Sequence, residues 1–200
     1  MAASPALNVV RGISNEVESP DHARFNALML EKEVKFLEVD VPAITHCLHR
    51  AGAERVFEGV MDAVYFDHQS ASLAKKGRSV RLRAKGEDLI ELTVKEKRKK
   101  NGVKVCEEAE VIVSCRDQME QILRLLGLVP FRRIRKKRIS YMLDGAHVEL
   151  DTLPDIPTFI EIEAARISVI RQTASLLGLH MTDAKPWSTA DVLRYYGKKR

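Results

Sequence analysis

With 200 residues the chain has the length of a single domain that can bury a sizeable core. Apolar residues are 45% and charged residues 30%, the composition of a soluble globular protein, and no stretch is long and apolar enough to span a membrane. Lys and Arg outnumber Asp and Glu by 33 to 28, and the three cysteines lack metal-site spacing, so a reduced, cytoplasmic setting is expected.

Residues 1–27 show no periodicity and read as a loose N-terminal leader. Glu16, Glu18 and Asp21 make a secretory or transit signal unpersuasive there. Residues 28–200 read as one domain. Leu30 to Leu37 alternates, so a strand places Glu31, Glu33 and Lys35 on one face and Lys32, Val34 and Phe36 on the other. Pro42 to Ala51 reads as a helix with Ile44, Cys47, Leu48 and Ala51 as its buried stripe and Gly52 as its stop.

Lys75-Lys-Gly77 precedes a strand that pairs Arg81 with Arg83 on one face. Thr93 and Lys95 alternate with Leu92 and Val94. Asn101-Gly102 is a strong hairpin signal. Beyond it Lys104, Cys106, Glu108 and Glu110 share a face.

Asp117 to Leu126 reads as a helix with Asp117 as N-cap, Met119, Ile122, Leu123 and Leu126 as the stripe, and Gly127 as the end. Lys136 and Arg138 then share a strand face. Asp144-Gly145 turns the chain into a strand with Glu149 and Asp151. A bend from Pro154 to Pro157 leads to Glu161 and Glu163. A third helix runs from Ser168 to Leu177 and stops at Gly178. A last one opens after Ser188 on a capping-box-like Ser-Thr-Ala-Asp. Leu125-Leu-Gly-Leu128 is echoed by Leu176-Leu-Gly-Leu179, a hint of two similar halves.

Seven candidate strands thus each carry a charged face, most of them backed by an apolar one. Amphipathic helices need apolar surface to cover, and those apolar faces supply it. The charged faces then point away from the helices. A closed barrel, helices outside and charges inside, satisfies both. Two carboxylates on one strand face suit a hard divalent cation, and a lysine beside them suits a phosphate oxygen.

These residues resemble the CYTH superfamily, the triphosphate tunnel metalloenzymes. Glu31-x-Glu33-x-Lys35 is similar to its opening signature. Tyr65-Phe-Asp67 with Leu73, Gly77 and Arg81-Leu-Arg83, then Leu92-Thr-Val-Lys95, Glu108-x-Glu110, Lys136-x-Arg138-x-x-Tyr141, Val148-Glu-Leu-Asp151 and Phe159-Ile-Glu-Ile-Glu163 follow in the family's order. One position departs. The family's usual arginine two residues before Glu108 is Cys106 here, with Lys104 nearby on the same face.

The resemblance implies an α+β fold, an eight-stranded antiparallel β-barrel (the triphosphate tunnel) with helices packed outside. It also implies an enzyme that uses Mg²⁺ or Mn²⁺ on a triphosphate. Glu31, Glu33 and Glu161 are the first metal ligands it implies, with Glu163 and Asp151 next. Lys35, Arg81, Arg83, Lys95, Lys136 and Arg138 would cradle the phosphates. Glu108 and Glu110 would hold a second metal or help activate the nucleophile, Glu163 or Asp151 would orient a water, and Lys35 would count with Glu108, Glu110 and Asp151 as catalytic.

Inorganic triphosphatase is the first expectation because it needs only these charges. Class IV adenylyl cyclase comes second, and thiamine triphosphatase is a further member activity. A polyphosphate- or RNA-binding tunnel without catalysis is the reading of another class, but it would not need so many acids facing a polyanion. The basic runs Lys95 to Lys100 and Arg132 to Arg138 read as solvated strand ends that also form a positive funnel. Nucleic-acid recognition is not expected, and the state is a monomer or homodimer.

Overall fold

The computed structural model describes residues 29–86, 89–98 and 103–198. The leader at residues 1–27 and the Asn101-Gly102 turn lie outside the described residues. In chain order the elements are β1 (Met29–Phe36), α1 (Val41–Arg50), β2 (Glu54–Asp67), α2 (Ser72–Lys75), β3 (Arg78–Lys85), β4 (Leu89–Arg98) and β5 (Lys104–Ile112). Then come α3 (Arg116–Leu125), β6 (Val129–Leu143), β7 (Ala146–Thr152), β8 (Phe159–Ala164), α4 (Ile167–Leu176) and α5 (Thr189–Tyr195). All strand pairings are antiparallel, and they close a barrel in the order β1-β5-β4-β3-β2-β6-β7-β8.

The alternating patterns become strands because each has one apolar face to bury. Val34 and Phe36 of β1, Val148 and Leu150 of β7, and Ile160 and Ile162 of β8 point outward. There they pack under Ile44 and Leu48 of α1 and Ile170 and Ala174 of α4. Val64 and Phe66 of β2 and Val80 and Leu82 of β3 meet Leu123 of α3. A third cluster joins Ile134, Leu153 and Phe159 to Val192 of α5, with Leu37, Tyr65 and Trp187 at its edge. Leu37, Tyr65, Ile134, Leu153 and Phe159 continue the inward-facing alternation of their strands, so this cluster plugs one end of the barrel. The C-terminal segment is tied across that end by reciprocal backbone bonds between Lys35 and Lys185, at 2.9 and 2.8 Å.

Turn chemistry sets several boundaries. Asp144 and Gly145 both have positive φ, 47° and 81°, the twist that a two-residue hairpin loop needs. The Leu-Leu-Gly-Leu echo is a shared helix stop. Leu128 N–H bonds Leu123 O at 3.0 Å, Leu179 N–H bonds Ala174 O at 2.8 Å, and the glycine between takes the left-handed position in each.

Two expectations about α3 are corrected. Cys115, in extended conformation, holds the N-cap position, and Asp117 sits in the first turn, where its charge favours the helix dipole. Of the expected stripe Leu123 is buried and Met119 partly so, whereas Ile122 and Leu126 are exposed. A helix lying across a convex barrel touches it along a narrower line than a full apolar stripe. In α1, likewise, Ala51 is the exposed C-cap rather than a buried contact. The capping box at Ser188 is present, with Ser188 and Asp191 bonding each other's backbone N–H.

Candidate active site in the barrel lumen

Register decides which side chains share the lumen. Lys35 lies opposite Glu161 and Glu33 opposite Glu163 across β1 and β8. Glu31 lies opposite Cys106, and Glu33 opposite Lys104, across β1 and β5. Lys95 faces Glu108, Arg81 faces Thr93, and Arg138 faces Asp151 on the remaining pairs. Contacts that skip a strand prove that these faces meet inside. Lys95 Nζ on β4 reaches over β5 to Glu31 at 3.0 Å, and Arg138 Nη2 on β6 reaches over β7 to Glu161 at 3.3 Å. Every candidate site residue read from the alternation therefore enters one lumen.

Three carboxylates gather most tightly. One oxygen from each of Glu33, Glu161 and Glu163 lies within 4.8 Å of the other two. Lys35, only 1% exposed, holds Glu33 and Glu161 at 2.9 Å each. Burial opposes its charge, but those carboxylates outweigh burial and hold its ammonium above the ordinary lysine value. Glu161 is held well below the carboxylate range, because Lys35, Arg138 and Lys136 overcome its burial. The pull of Lys95 on Glu163 is outweighed. Burial, then Glu31, Glu149 and Glu161, push it up to about 9, so it keeps its proton at neutral pH.

Glu31 adjoins that trio through Glu163 and also engages Lys95 and Glu108. Burial and the hydrogen bond with Glu31 raise Glu108, while Glu31 itself is lowered by Glu108 and Lys95 against its burial. Lys95 is ion-paired to both.

The cationic side is equally engaged. Arg138 is held by Asp151 through two bonds of 2.7 Å, by Glu161 and by Glu149. Asp151 also takes Lys136 at 2.5 Å and is fully buried, so its role in the protein as it stands is to anchor two cations. Arg81 Nη2 donates to Thr93 Oγ1 at 2.9 Å and to Glu110 at 3.4 Å. Arg83 grips Glu91 at 2.5 Å and reaches Glu110 at 3.4 Å. Lys104 meets Glu33 at 2.6 Å, so the strand that lacks the arginine still supplies a cation. Outside the lumen Arg133 bonds Asp62, and alternate residues of the Arg132 to Arg138 run face outward.

Glu91 escaped the sequence reading. Glu91 is the residue that, by alternation from Thr93 and Lys95, shares their face, and that signal was available. Tyr65, named in the family motif, packs at the edge of the apolar cluster beneath α5. Tyr141, by contrast, packs in the outer core.

Residues 29–169 match the sequence profile of the CYTH domain. The chain belongs to this family. CYTH enzymes act on triphosphates and depend on metal. A protein of Methanocaldococcus jannaschii named as a candidate adenylate cyclase is 24% identical over 149 residues, 74% of this chain and 84% of that one. The X-ray structure of a candidate adenylate cyclase from Vibrio parahaemolyticus superposes with a TM-score of 0.71 at 18% identity, covering 83% of this chain and 98% of that one. A candidate adenylyl cyclase from Hippeastrum, described as having a dominant triphosphatase activity, has a TM-score of 0.59 at 16% identity and covers 85% and 97%. At these identities the structures share the CYTH fold.

The acidic trio fits a hard divalent cation. Its donors are all carboxylate oxygens that converge, two of them buried and one half-buried, and Glu163 keeps its proton because burial and the neighbouring carboxylates outweigh Lys95.

Proposed function

We propose that this protein is a divalent-metal-dependent hydrolase of inorganic triphosphate. The observation that carries the reading is a charged lumen with one plugged end, in which each candidate cradle cation is held by carboxylates. Mg²⁺ or Mn²⁺ held by Glu33, Glu161 and Glu163, with Glu31 beside them, would supply positive charge to phosphate oxygens. The side chains do the rest. Arg81, Arg83 and Arg138 offer planar forks, and Lys35, Lys95, Lys104 and Lys136 offer point charges to a polyanion. Their carboxylate partners keep them extended into the lumen before substrate arrives, so little reorganisation remains for binding to supply. Glu108 and Glu110 stand nearest Lys95 and Arg81, where a carboxylate can take the proton of an attacking water.

The same lining accepts a nucleotide's triphosphate, and the names of two relatives favour class IV adenylyl cyclase as the second reading. The triphosphatase activity described for the Hippeastrum relative supports the first. The test is one panel of tripolyphosphate, ATP, GTP and thiamine triphosphate with Mg²⁺ or Mn²⁺, assayed for orthophosphate and cyclic nucleotide together. Tripolyphosphate should show the highest kcat/KM. Conversion of ATP to cyclic AMP with little action on tripolyphosphate decides for the cyclase, and binding without turnover decides for a binding module.

A further inference from the structure

Each cation of the cradle is held by a carboxylate. Lys85 of β3 shares their face, across from Met61 of β2, yet it makes no ion pair among the described residues. Its ammonium stands instead over the ring of Phe57, 5.0 Å from the centroid. Both side chains are half-buried, so a ligand can reach both.

Phe57 lies on the lumen face of β2, at the barrel end opposite α5. Register sets it across from Ser140 and sets Gly59 across from Arg138. The tip of the ring turns back onto Gly59. A Cβ there would come within 2.9 Å of the ring's Cζ, so glycine at this position is what lets the ring lie along the wall. Phe57 thus stands two residues, about 7 Å of strand, beyond the level of Arg138. A phosphate chain held by the cradle brings whatever it carries to this ring. A further phosphate would use Lys85 and leave the ring idle, whereas a planar base uses both. Guanine offers a lysine two acceptors, O6 and N7, while adenine sets an amino donor beside its N7, which opposes an ammonium.

We propose that Phe57 and Lys85 form a base site for guanosine triphosphate, with guanine stacked on the Phe57 ring and the Lys85 ammonium moved from that ring to O6 and N7. The inference rests on the triphosphate reading above and adds a nucleotide to inorganic triphosphate as a ligand of the same lumen. The phosphates enter first and the base stays at the end opposite α5. Without a nucleotide, Lys85 covers the ring that the base would cover.

The test is calorimetric titration of the wild-type protein, Phe57→Leu and Lys85→Met with tripolyphosphate and with the β,γ-methylene analogues of GTP and ATP, all with Mg²⁺. The wild-type protein should bind the GTP analogue about tenfold more tightly than the ATP analogue. Phe57→Leu keeps an apolar side chain beside Gly59 and should melt with the wild-type protein. It should weaken both nucleotides about tenfold, the worth of a lost stack, and leave tripolyphosphate within about twofold. Lys85→Met, an independent variant at the rim, should bring the two nucleotide affinities together. Equal binding of the two nucleotides by the wild-type protein overturns the guanine site. A Phe57→Leu loss shared equally by tripolyphosphate overturns the stacking role. Binding of tripolyphosphate without either nucleotide overturns the inference and leaves the triphosphate reading standing, and a wild-type protein that binds none of the three overturns both.

Discussion

Glu33 joins two roles in one carboxylate. It belongs to the acidic trio and also holds Lys35 at 2.9 Å and Lys104 at 2.6 Å. Replacing it with glutamine removes a candidate metal ligand and half of the compensation around a buried ammonium. Glu33→Gln should lower turnover by about two orders of magnitude, the worth of a few kcal/mol of charge stabilisation. It should also weaken Mn²⁺ binding measured by calorimetry. Full activity of the wild-type protein in excess chelator would count against any metal role.

Asp67 carries a different lesson. It belongs to the Tyr65-Phe-Asp67 motif, yet its carboxylate faces a turn, accepting backbone N–H bonds from His68, Leu73 and Ala74 at 2.7–2.9 Å. Those three donors overcome its burial and hold it below the ordinary aspartate value. Its stabilisation is therefore present above the unfolded-state value and is lost as pH falls through the lower folded one. Asp67→Ala should cost about 1–3 kcal/mol in urea unfolding at neutral pH. The deficit should shrink in acid below the ordinary aspartate value, and kcat per folded molecule should be unchanged. A kcat loss without a stability loss would mean that this motif residue serves chemistry after all.

At the scale of elements, legibility depended on charge. The strands that alternate charged with apolar residues could be read because a two-residue period with ionisable groups is hard to produce otherwise. β2 was seen only through the family motif at its end. Its inward face is small and apolar, and a bulge between Arg55 and Phe57 breaks its period. Helix ends were legible where glycine or a capping box marked them. Which residues of α3 touch the barrel was not, because that depends on how the helix lies on a curved sheet. That Glu163 gathers with Glu33 and Glu161 while Glu31 touches both Glu163 and Glu108 depends on strand tilt and could not be read from alternation alone. α5 tests the value of a local signal. Ser188→Ala should remove the reciprocal cap and cost about 0.5–2 kcal/mol. Hydrogen exchange should quicken first in α5 and only then in Val192's neighbours. Uniform loss of protection across the barrel would show that the helix and barrel unfold as one unit.

For the whole molecule the lumen is a balance of opposite charges. Its carboxylates include Glu31, Glu33, Glu91, Glu108, Glu110, Glu149, Asp151, Glu161 and Glu163, facing Lys35, Arg81, Arg83, Lys95, Lys104, Lys136 and Arg138. A polyanion therefore enters a space whose acids must first be neutralised, by protons or by metal. The interactions left for the substrate are ionic and screenable. KM for tripolyphosphate should rise steadily with added KCl at fixed Mg²⁺, since the screening length falls to about 8 Å near physiological ionic strength. A KM insensitive to salt would mean that desolvated contacts deeper than the ions' reach dominate.

The plug of Phe159, Leu153 and Ile134 beneath α5 also has a kinetic consequence. If that cluster stops its end of the barrel, a phosphate chain comes and goes only through the opposite mouth. If cleavage takes place inside, the outer fragment must depart before the inner one can. Added alone, the outer fragment should then bind a product-loaded protein, and the inner one should bind only a vacated barrel. The protein would work as a stack, first in and last out, and the order of product inhibition would record which end of the substrate went in first.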